Sequence, residues 1–286
     1  MKTQTSTSTT YIPKGILKEF VGSIVHLNGL GTGIALQRVY QTIVINIGAN
    51  FFNSDPYTTE PSKEHLPAIW INGKHEHPFA LENPGVISLY VIGIKPGMLP
   101  YFSRVPVVET NSQALCATYW AESDIFTLRE RLLESTDVQT GFELIEAYFI
   151  SRLEGKNFLL LPKIHYLSKA ITNNTVAEIC ATMGCTRKKL RTDAIQYFGA
   201  PVKNMQGIIR FGQHLTAIAS QPHQSLSSLH SFYDQAHFIK DFKVRTGMTP
   251  GQYRLLCQKY SQIRYNPNFI PLPKETFLQF IASHPD

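Results

Sequence analysis

The pattern of hydrophobic and polar positions changes character once along the chain. From Tyr11 to Ile94 it consists of short apolar runs, rich in β-branched and aromatic residues and separated by Gly, Pro and Asn. The clearest runs are residues 42–47, 68–71 and 86–94. Their composition and spacing are typical of the strands of a β-sandwich or barrel. From Ser112 the apolar positions follow a helical period, which predicts helices near 125–135 and 140–153.

Residues 158–260 predict a purely helical region. Seven helices are expected, at about 162–171, 175–182, 186–197, 201–219, 223–230, 235–245 and 250–260. Thr175 and Glu178 form a capping box at the start of the second, and Gly184 makes the turn to the third. The fourth begins at Pro201 and is long. Its inward-facing positions are expected to be Val202, Met205, Ile209 and Leu215.

Charge is distributed unevenly along the chain, whose net charge is +6. Residues 1–157 have 12 Lys/Arg against 15 Asp/Glu, whereas residues 158–264 have 14 against 4. A basic helical region beside a mildly acidic one indicates a module that binds a polyanion, joined to a part with another role. A lysine-rich surface that is merely solvated is the alternative. The four cysteines form no Cys-x-x-Cys pair and no apolar run has the length of a membrane span, so we expect a reduced, cytoplasmic protein without membrane contact.

The segment 232–254 carries the most specific signal. Asp234 is a suitable N-cap for a helix on which two phenylalanines lie one turn apart, and Gly247 ends that helix. A second capping box, with proline at its first helical position, spans 249–252 and begins the next helix. The sequence thus predicts two helices pinned together by a short turn.

The same segment closely resembles the second helix-turn-helix of the AraC/XylS transcription regulators, and the resemblance extends over residues 158–260. It implies two helix-turn-helix units joined by one long helix, with duplex DNA as the partner. It also implies an N-terminal domain that binds a small-molecule effector, mediates homodimerisation, or does both, and contact with RNA polymerase if the protein is an activator. Residues 91–97, 100–102 and 128–134 look, more loosely, like the uncharacterised cupin-like N-terminal domain of one branch of these regulators.

The expected DNA contacts lie on the third and sixth helices of the helical region. Like charges crowd the third helix at helical spacing, which a polyanion would relieve. Mapped by resemblance, Lys188, Arg191 and Thr192 face the groove, and Arg187 and Lys189 flank it. The full expected set is Thr186, Arg187, Lys188, Lys189, Arg191 and Thr192, with Gln235, Ala236, His237, Ile239, Lys240 and Lys243 from the sixth helix. Such side chains bind base edges, thymine methyl groups and phosphates.

Several positions depart from the family pattern. Thr192 and Ala194 stand where the family usually has Arg and an aromatic residue, and Ser231 replaces the turn glycine of the second unit. A serine in a left-handed turn costs on the order of 1 kcal/mol. The second unit is therefore expected to be the less rigid reader of DNA, and Ser231→Gly to stabilise it.

An alternative function comes from residues 75–77, His-Glu-His, which with Glu82 are similar to the first metal motif of cupin enzymes. A metal-dependent enzyme fused to a DNA-binding domain would carry such a site. The match fails after Glu82, because Gly85 follows too soon and the later histidine motif is missing, so we expect no metal, no cofactor and no catalytic residues. Nine aromatic residues are expected mainly in the core, with a ligand pocket as the alternative: Tyr40, Phe51, Phe52, Trp70, Phe79, Tyr90, Tyr101, Phe102 and Trp120.

The sequence as a whole predicts an α+β protein of two domains. Residues 1–10 are expected to be a disordered tail, and residues 11–157 a β-rich, cupin-like or sandwich domain with helices that regulates or dimerises. Residues 158–264 are the expected all-α DNA-binding domain. Residues 265–286 form an extension whose short helix packs back on the body. The expected function is that of a DNA-binding transcription regulator rather than an enzyme.

Overall fold

Two antiparallel sheets dominate the N-terminal half of the computed structural model, which describes residues 7–29, 32–39, 41–59, 64–83, 85–224 and 235–284. The strands are β1 (Thr7–Tyr11), β2 (Val21–Gly29), β3 (Gly33–Ala35), β4 (Gln41–Asn46), β5 (Phe52–Ser54), β6 (Glu64–His65), β7 (Ile69–Asn72), β8 (Phe79–Glu82), β9 (Ile87–Ile94), β10 (Ala114–Cys116) and β11 (Phe269–Ile270). The larger sheet has the order β1-β2-β9-β4-β7-β10, and the smaller sheet the order β11-β3-β8-β5-β6.

Helices make up most of the remaining chain and confirm the α+β class. They are α1 (Ala117–Trp120), α2 (Asp124–Glu134), α3 (Val138–Ser151), α4 (Leu161–Asn173), α5 (Val176–Met183), α6 (Arg187–Phe198), α7 (Val202–Ser220), α8 (Gln235–Thr246), α9 (Pro250–Lys259) and α10 (Lys274–Ser283). Helices α4 to α9 are six of the seven predicted for 158–260, each within two residues of the expected ends. The remaining one, expected at 223–230, lies largely outside the described residues, as do Ser231 and Asp234. Among the described helices, none combines the length and apolar character needed to cross a bilayer.

The apolar run at 42–47 lacks strict alternation because its strand, β4, is buried on both faces. On one face Ile43 and Ile45 belong to a first core, which extends to α2 and α3. On the other face Val44 packs with Trp70 and Leu89 in the layer between the two sheets. Strand β4 therefore lies in the middle of a sheet covered by helices on one side and by the smaller sheet on the other.

The predicted disordered tail is wrong for residues 7–10. These residues belong to β1, which pairs antiparallel with β2 from Thr7 opposite Asn28 to Tyr11 opposite Ile24. The strand lies at an edge with its side chains mostly exposed, so its polar Ser/Thr composition does not distinguish it from a flexible tail.

Two apolar cores are each shared between the β-rich and helical parts of the chain. The first continues from the larger sheet into α4, α5, α6 and the start of α7, with Leu167 and Leu190 buried in the same core as Ile92. The second contains Ile34 of β3 together with Phe242 of α8 and the second half of α7. The predicted domain boundary near residue 157 thus separates sequence regions whose side chains share cores.

The extension packs on the body as predicted, and it does so through both halves. Strand β11 pairs with β3, so that Ile270 lies opposite Ile34 at the edge of the smaller sheet. Phe277 and Phe280 of α10 are buried in the second core. Tyr253 of α9 donates a hydrogen bond to the Pro267 carbonyl at 2.8 Å. The extension therefore joins the β-rich half to the last helices of the helical region.

Candidate nucleic-acid interface

The first helix-turn-helix, α5 to α6, is held by local hydrogen bonds that the sequence predicts. In the capping box, the Thr175 amide donates to Glu178 Oε2 at 2.7 Å and the Glu178 amide donates to Thr175 Oγ1 at 3.3 Å. Gly184 has a left-handed φ of +58°, which glycine adopts without strain. The Thr186 hydroxyl then caps α6 by accepting from the Lys189 amide at 3.2 Å. The turn thus fixes α6 relative to α5 over a few residues.

Helix α6 has one buried side and one polar side. Leu190, Ala194 and Phe198 belong to the first core. The predicted residues of this helix and its cap are all exposed: Thr186, Arg187, Lys188, Lys189, Arg191 and Thr192. Thr192 Oγ1 donates to the Lys188 carbonyl at 3.1 Å, which occupies its hydroxyl proton. The structure therefore brings the six predicted positions together over the first two turns of one helix.

Asp193 is a residue of this unit that the sequence reasoning missed. Its side chain is 2% exposed, and its two oxygens accept from Lys163 Nζ of α4 at 2.6 Å and Lys189 Nζ at 2.7 Å. Burial alone would raise the pKa of this carboxyl, but the two lysines outweigh it and hold the pKa below its usual value. The i, i+4 spacing of Lys189 and Asp193 is a sequence signal for half of this arrangement. No spacing in the sequence indicates the other partner, Lys163 of α4.

The second cationic helix, α8, is anchored by phenylalanines. Phe242 is fully buried, with its ring centroid 5.3 Å from that of Phe211 on α7, and Phe238 is nearly buried. The predicted residues whose side chains are described, Ala236, His237, Ile239, Lys240 and Lys243, are all exposed. Gln235 is the first residue of the helix, and its side chain lies outside the described part. The polar and apolar positions thus separate onto different sides, as they do on α6.

The C-terminal end of α8 is held by the β-rich half, a contact absent from the sequence reasoning. Arg245 Nη1 donates to Gln37 Oε1 at 2.7 Å, and its Nε donates to Asp241 at 2.8 Å. Tyr57 donates to the Thr246 carbonyl. Gly247 follows with a φ of +70°, and a Cβ there would lie 2.2 Å from the Tyr57 ring. The orientation of α8 therefore depends on the loop that follows β5 and on the segment that follows β3.

Helix α7 connects the two units. It has 19 residues and is therefore roughly 28 Å long at 1.5 Å per residue. Val202, Met205 and Leu215 are buried as expected, whereas Ile209 is half-buried and its neighbour Ile208 faces the core instead. One turn of B-DNA advances about 34 Å, so α7 has the length to separate two helices that enter successive major grooves.

The residues of the cupin-like motif take part in packing. His75 is 4% exposed, its ring lies 4.4 Å from that of Phe79, and burial with the nearby Arg38 charge lowers its pKa to about 3. Glu76 accepts from Lys74 and from Asn204 of α7. Among the described residues, no group of three or more His, Cys, Asp or Glu side chains is placed to hold a metal ion.

The aromatic residues considered for a pocket are mainly core. Phe51, Trp70, Tyr90, Phe102 and Trp120 are buried, and Phe52, Phe79 and Tyr101 are half-buried; Tyr40 lies outside the described residues. None of these eight described residues lines the cavity of about 820 Å³ that lies between the segment after β3 and helices α4 and α7. Phe79 lines a second cavity, of about 630 Å³. The core interpretation is confirmed for the five buried residues.

Comparison with known proteins finds similarity to solved structures of ToxT. No protein-family model matches the chain, and no curated protein matches its sequence. A structure of ToxT from Vibrio cholerae is 13% identical, covering 87% of this chain and 98% of that one with a TM-score of 0.40. Wild-type ToxT of strain SCE256 with a bound unsaturated fatty acid is 15% identical, covering 89% and 97% with a TM-score of 0.39.

Proposed function

We propose that the chain binds duplex DNA as a transcription regulator, with α6 and α8 entering successive major grooves. One observation carries the proposal: two cationic helices, each anchored by apolar side chains on one side and exposed on the other, are fixed to a connecting helix about 28 Å long. The length of α7 is comparable to the advance of one turn of B-DNA, about 34 Å. The charge of residues 158–264, 14 Lys/Arg against 4 Asp/Glu, supplies the attraction to phosphate.

The exposed side chains suit two different roles. Arg191 and Lys188 form no ion pair with the described residues and are long enough to reach guanine edges, and Lys240 is an exposed cation on α8, two residues after the buried Phe238. Lys189 is tied to Asp193 and so has a fixed position beside the groove. We assign it to phosphate, which positions a protein without reading sequence.

The first experiment measures the salt dependence of DNA binding by the full chain, because the two parts of the chain share their cores. Six phosphate contacts give a slope of about −5 in a plot of log K against log salt concentration. Lys156→Ala, at an exposed lysine between α3 and α4, is a control that should leave the slope unchanged. A slope near zero, or no binding at low salt, contradicts the proposal.

The second experiment separates base reading from phosphate binding at a site selected from random duplexes. Arg191→Ala and Lys240→Ala are expected to cost about 1–3 kcal/mol at the selected site and less on random DNA. Lys189→Ala should weaken both nearly alike. Gln196→Ala, at an exposed position of α6, is the matched control. Variants that cannot be distinguished on the two DNAs would contradict the assignment of roles.

We propose that the β-rich half regulates this binding. The argument is mechanical: Gln37 and Tyr57 contact the end of α8, and Asn204 of α7 is bonded to Lys74 and Glu76, so a shift of the sheets moves α8 and the connecting helix α7. Whether this half also joins two copies is tested by sedimentation equilibrium of the full chain. A monomer–dimer equilibrium whose dissociation constant falls when DNA is added supports dimerisation. A chain that stays monomeric at all concentrations contradicts it.

A further inference from the structure

Two of the four cysteines meet at the turn of the first helix-turn-helix. Cys180 lies on α5, and Cys185 follows Gly184 in the turn. The Cys185 amide donates to the Cys180 carbonyl at 3.1 Å, and the Gly184 amide donates to the Ala181 carbonyl at 3.3 Å. Together with the left-handed Gly184, these two bonds make a Schellman motif, in which the side chains at the positions of Cys180 and Cys185 commonly touch. Here both of those side chains are thiols.

The two thiols are close together and open to small reagents. Both are half-buried, and both pack against the first core. Burial, together with the neighbouring Cys180 thiol, raises the pKa of the Cys185 thiol. Thiolate is the reactive form, so the pair reacts slowly at neutral pH, and its redox equilibrium has to be measured rather than its rate. The other two cysteines lie elsewhere, Cys116 in β10 and Cys257 buried in α9.

The position of Cys185 determines where α6 begins. Thr186 is the next residue, and its hydroxyl caps α6 by accepting from the Lys189 amide. Lys189 is also bound to Asp193, the buried carboxylate that joins α6 to α4. A disulfide holds two sulfur atoms closer than a contact between thiols does, so its formation draws Cys185 toward α5. The cap and the exposed first turn of α6 move with it.

We propose that Cys180 and Cys185 form a reversible disulfide that changes the position of α6. The oxidant is a small-molecule disulfide. One protein thiolate attacks it, which forms a mixed disulfide and releases one small thiol; the second protein thiolate then displaces the other small thiol and closes the bridge. The protein loses two electrons and two protons, and the two small thiols gain them. A change in DNA affinity rests on the proposed function, whereas the disulfide itself does not.

The first test measures the disulfide in the full chain without DNA. The reduced protein is brought to equilibrium with mixtures of oxidised and reduced glutathione, trapped with N-ethylmaleimide in mild acid and digested with trypsin. Cleavage after Lys169 and Arg187 leaves both cysteines in one peptide, residues 170–187. The bridged peptide is lighter by two hydrogen atoms and takes up no maleimide. Separate glutathione adducts on the two cysteines, with no bridged peptide in any mixture, would overturn the proposal.

The second test measures DNA affinity at a selected site. Oxidation should weaken binding about tenfold, roughly the loss of one base contact, and dithiothreitol should restore it. Cys185→Ser should bind like the reduced chain and be insensitive to the oxidant; if it fails to fold by circular dichroism, Cys180→Ala replaces it. Cys116→Ser, which removes a half-buried cysteine of β10, is the matched control and should respond as wild type does. An affinity that bridging leaves unchanged, or a Cys185→Ser chain that still responds, overturns the effect on α6.

Failure of the disulfide and failure of DNA binding can be told apart. If the chain does not bind DNA, amide hydrogen exchange still measures the effect of the bridge: exchange should change in residues 186–192 and stay the same in α8. Equal exchange of residues 186–192 in the bridged and reduced chains would overturn the effect on α6. If the chain binds DNA and no bridge forms, it is a regulator without this redox control.

Discussion

Asp193→Asn removes the carboxylate that joins α4 to α6 while keeping the shape of the side chain. The two bonds involved are 2.6 and 2.7 Å long, and hydrogen bonds to charged groups contribute about 1.5–3 kcal/mol each. The loss of stability should stay below the sum of the two upper values, because Lys163 and Lys189 are 35% and 58% exposed and are hydrated again when released. Asparagine also keeps one acceptor. We expect the free energy of unfolding to fall by about 2–3 kcal/mol.

The pH dependence of this loss has a definite sign. A carboxyl whose pKa is lower in the folded chain stabilises it above the unfolded pKa, here 3.8, and that stabilisation disappears as the pH falls below 3.8. Urea unfolding of the full chain should therefore give the same difference between wild type and Asp193→Asn at pH 7 and pH 5. The difference should shrink below pH 3.8.

Asp241→Asn is the matched control, because it removes a carboxylate at the same i, i+4 spacing on α8. Asp241 accepts from Arg245 Nε at 2.8 Å but is 45% exposed. Exposed pairs of this kind contribute about 0.3–0.5 kcal/mol. If Asp193→Asn costs no more than Asp241→Asn, or if its cost persists unchanged at pH 3, the carboxylate does not anchor α6 to α4.

Two further predictions concern positions where the β-rich half meets α7 and α8. Gly247→Ala should lower the free energy of urea unfolding by at least 2 kcal/mol, because it combines a left-handed φ with overlap on the Tyr57 ring. Gly184→Ala, left-handed but in open space, should lower it by about 1 kcal/mol. If the difference between the two costs is unchanged in a Tyr57→Ala background, the overlap with the Tyr57 ring is not its cause. His75, whose pKa is lowered to about 3, makes the folded chain less stable as the pH falls from 7 to 5, by about 2 kcal/mol. His75→Gln should remove that part of the pH dependence, and equal slopes in the two proteins would refute it.

Helix ends were predictable because the interactions that fix them are local. Thr175 bonds to Glu178 and Thr249 to Gln252, three residues away in each case, so a short string of sequence contains the whole interaction. The same holds for the left-handed turn at Gly184. The exposed set on α6 follows from helical spacing once Leu190 is placed inward.

What sequence reasoning missed depends on partners far away in the chain. Asp193 lies 30 residues from Lys163, and nothing in the spacing of either residue indicates the other. The polar strand β1 is recognisable only by its pairing with β2. The cavity beside Arg38 exists because α7 packs near the segment after β3, which no local pattern specifies. These features depend on the arrangement of the elements rather than on their identity.

The pairing of β11 with β3 has a consequence for the order in which the protein acquires its shape. Asn268 and Gln37 bond across 231 residues of sequence, and Ile34, Phe242 and Phe277 close the second core together. During synthesis the larger sheet and the first helix-turn-helix have their partners early, because the first core ends at Met205. The second core cannot close until the segment that follows α9 has been synthesised, and bringing this segment to β3 closes a long loop, which is slow. A nascent chain is therefore expected to place α6 on a finished support well before α8, whose own support forms as a late step of folding.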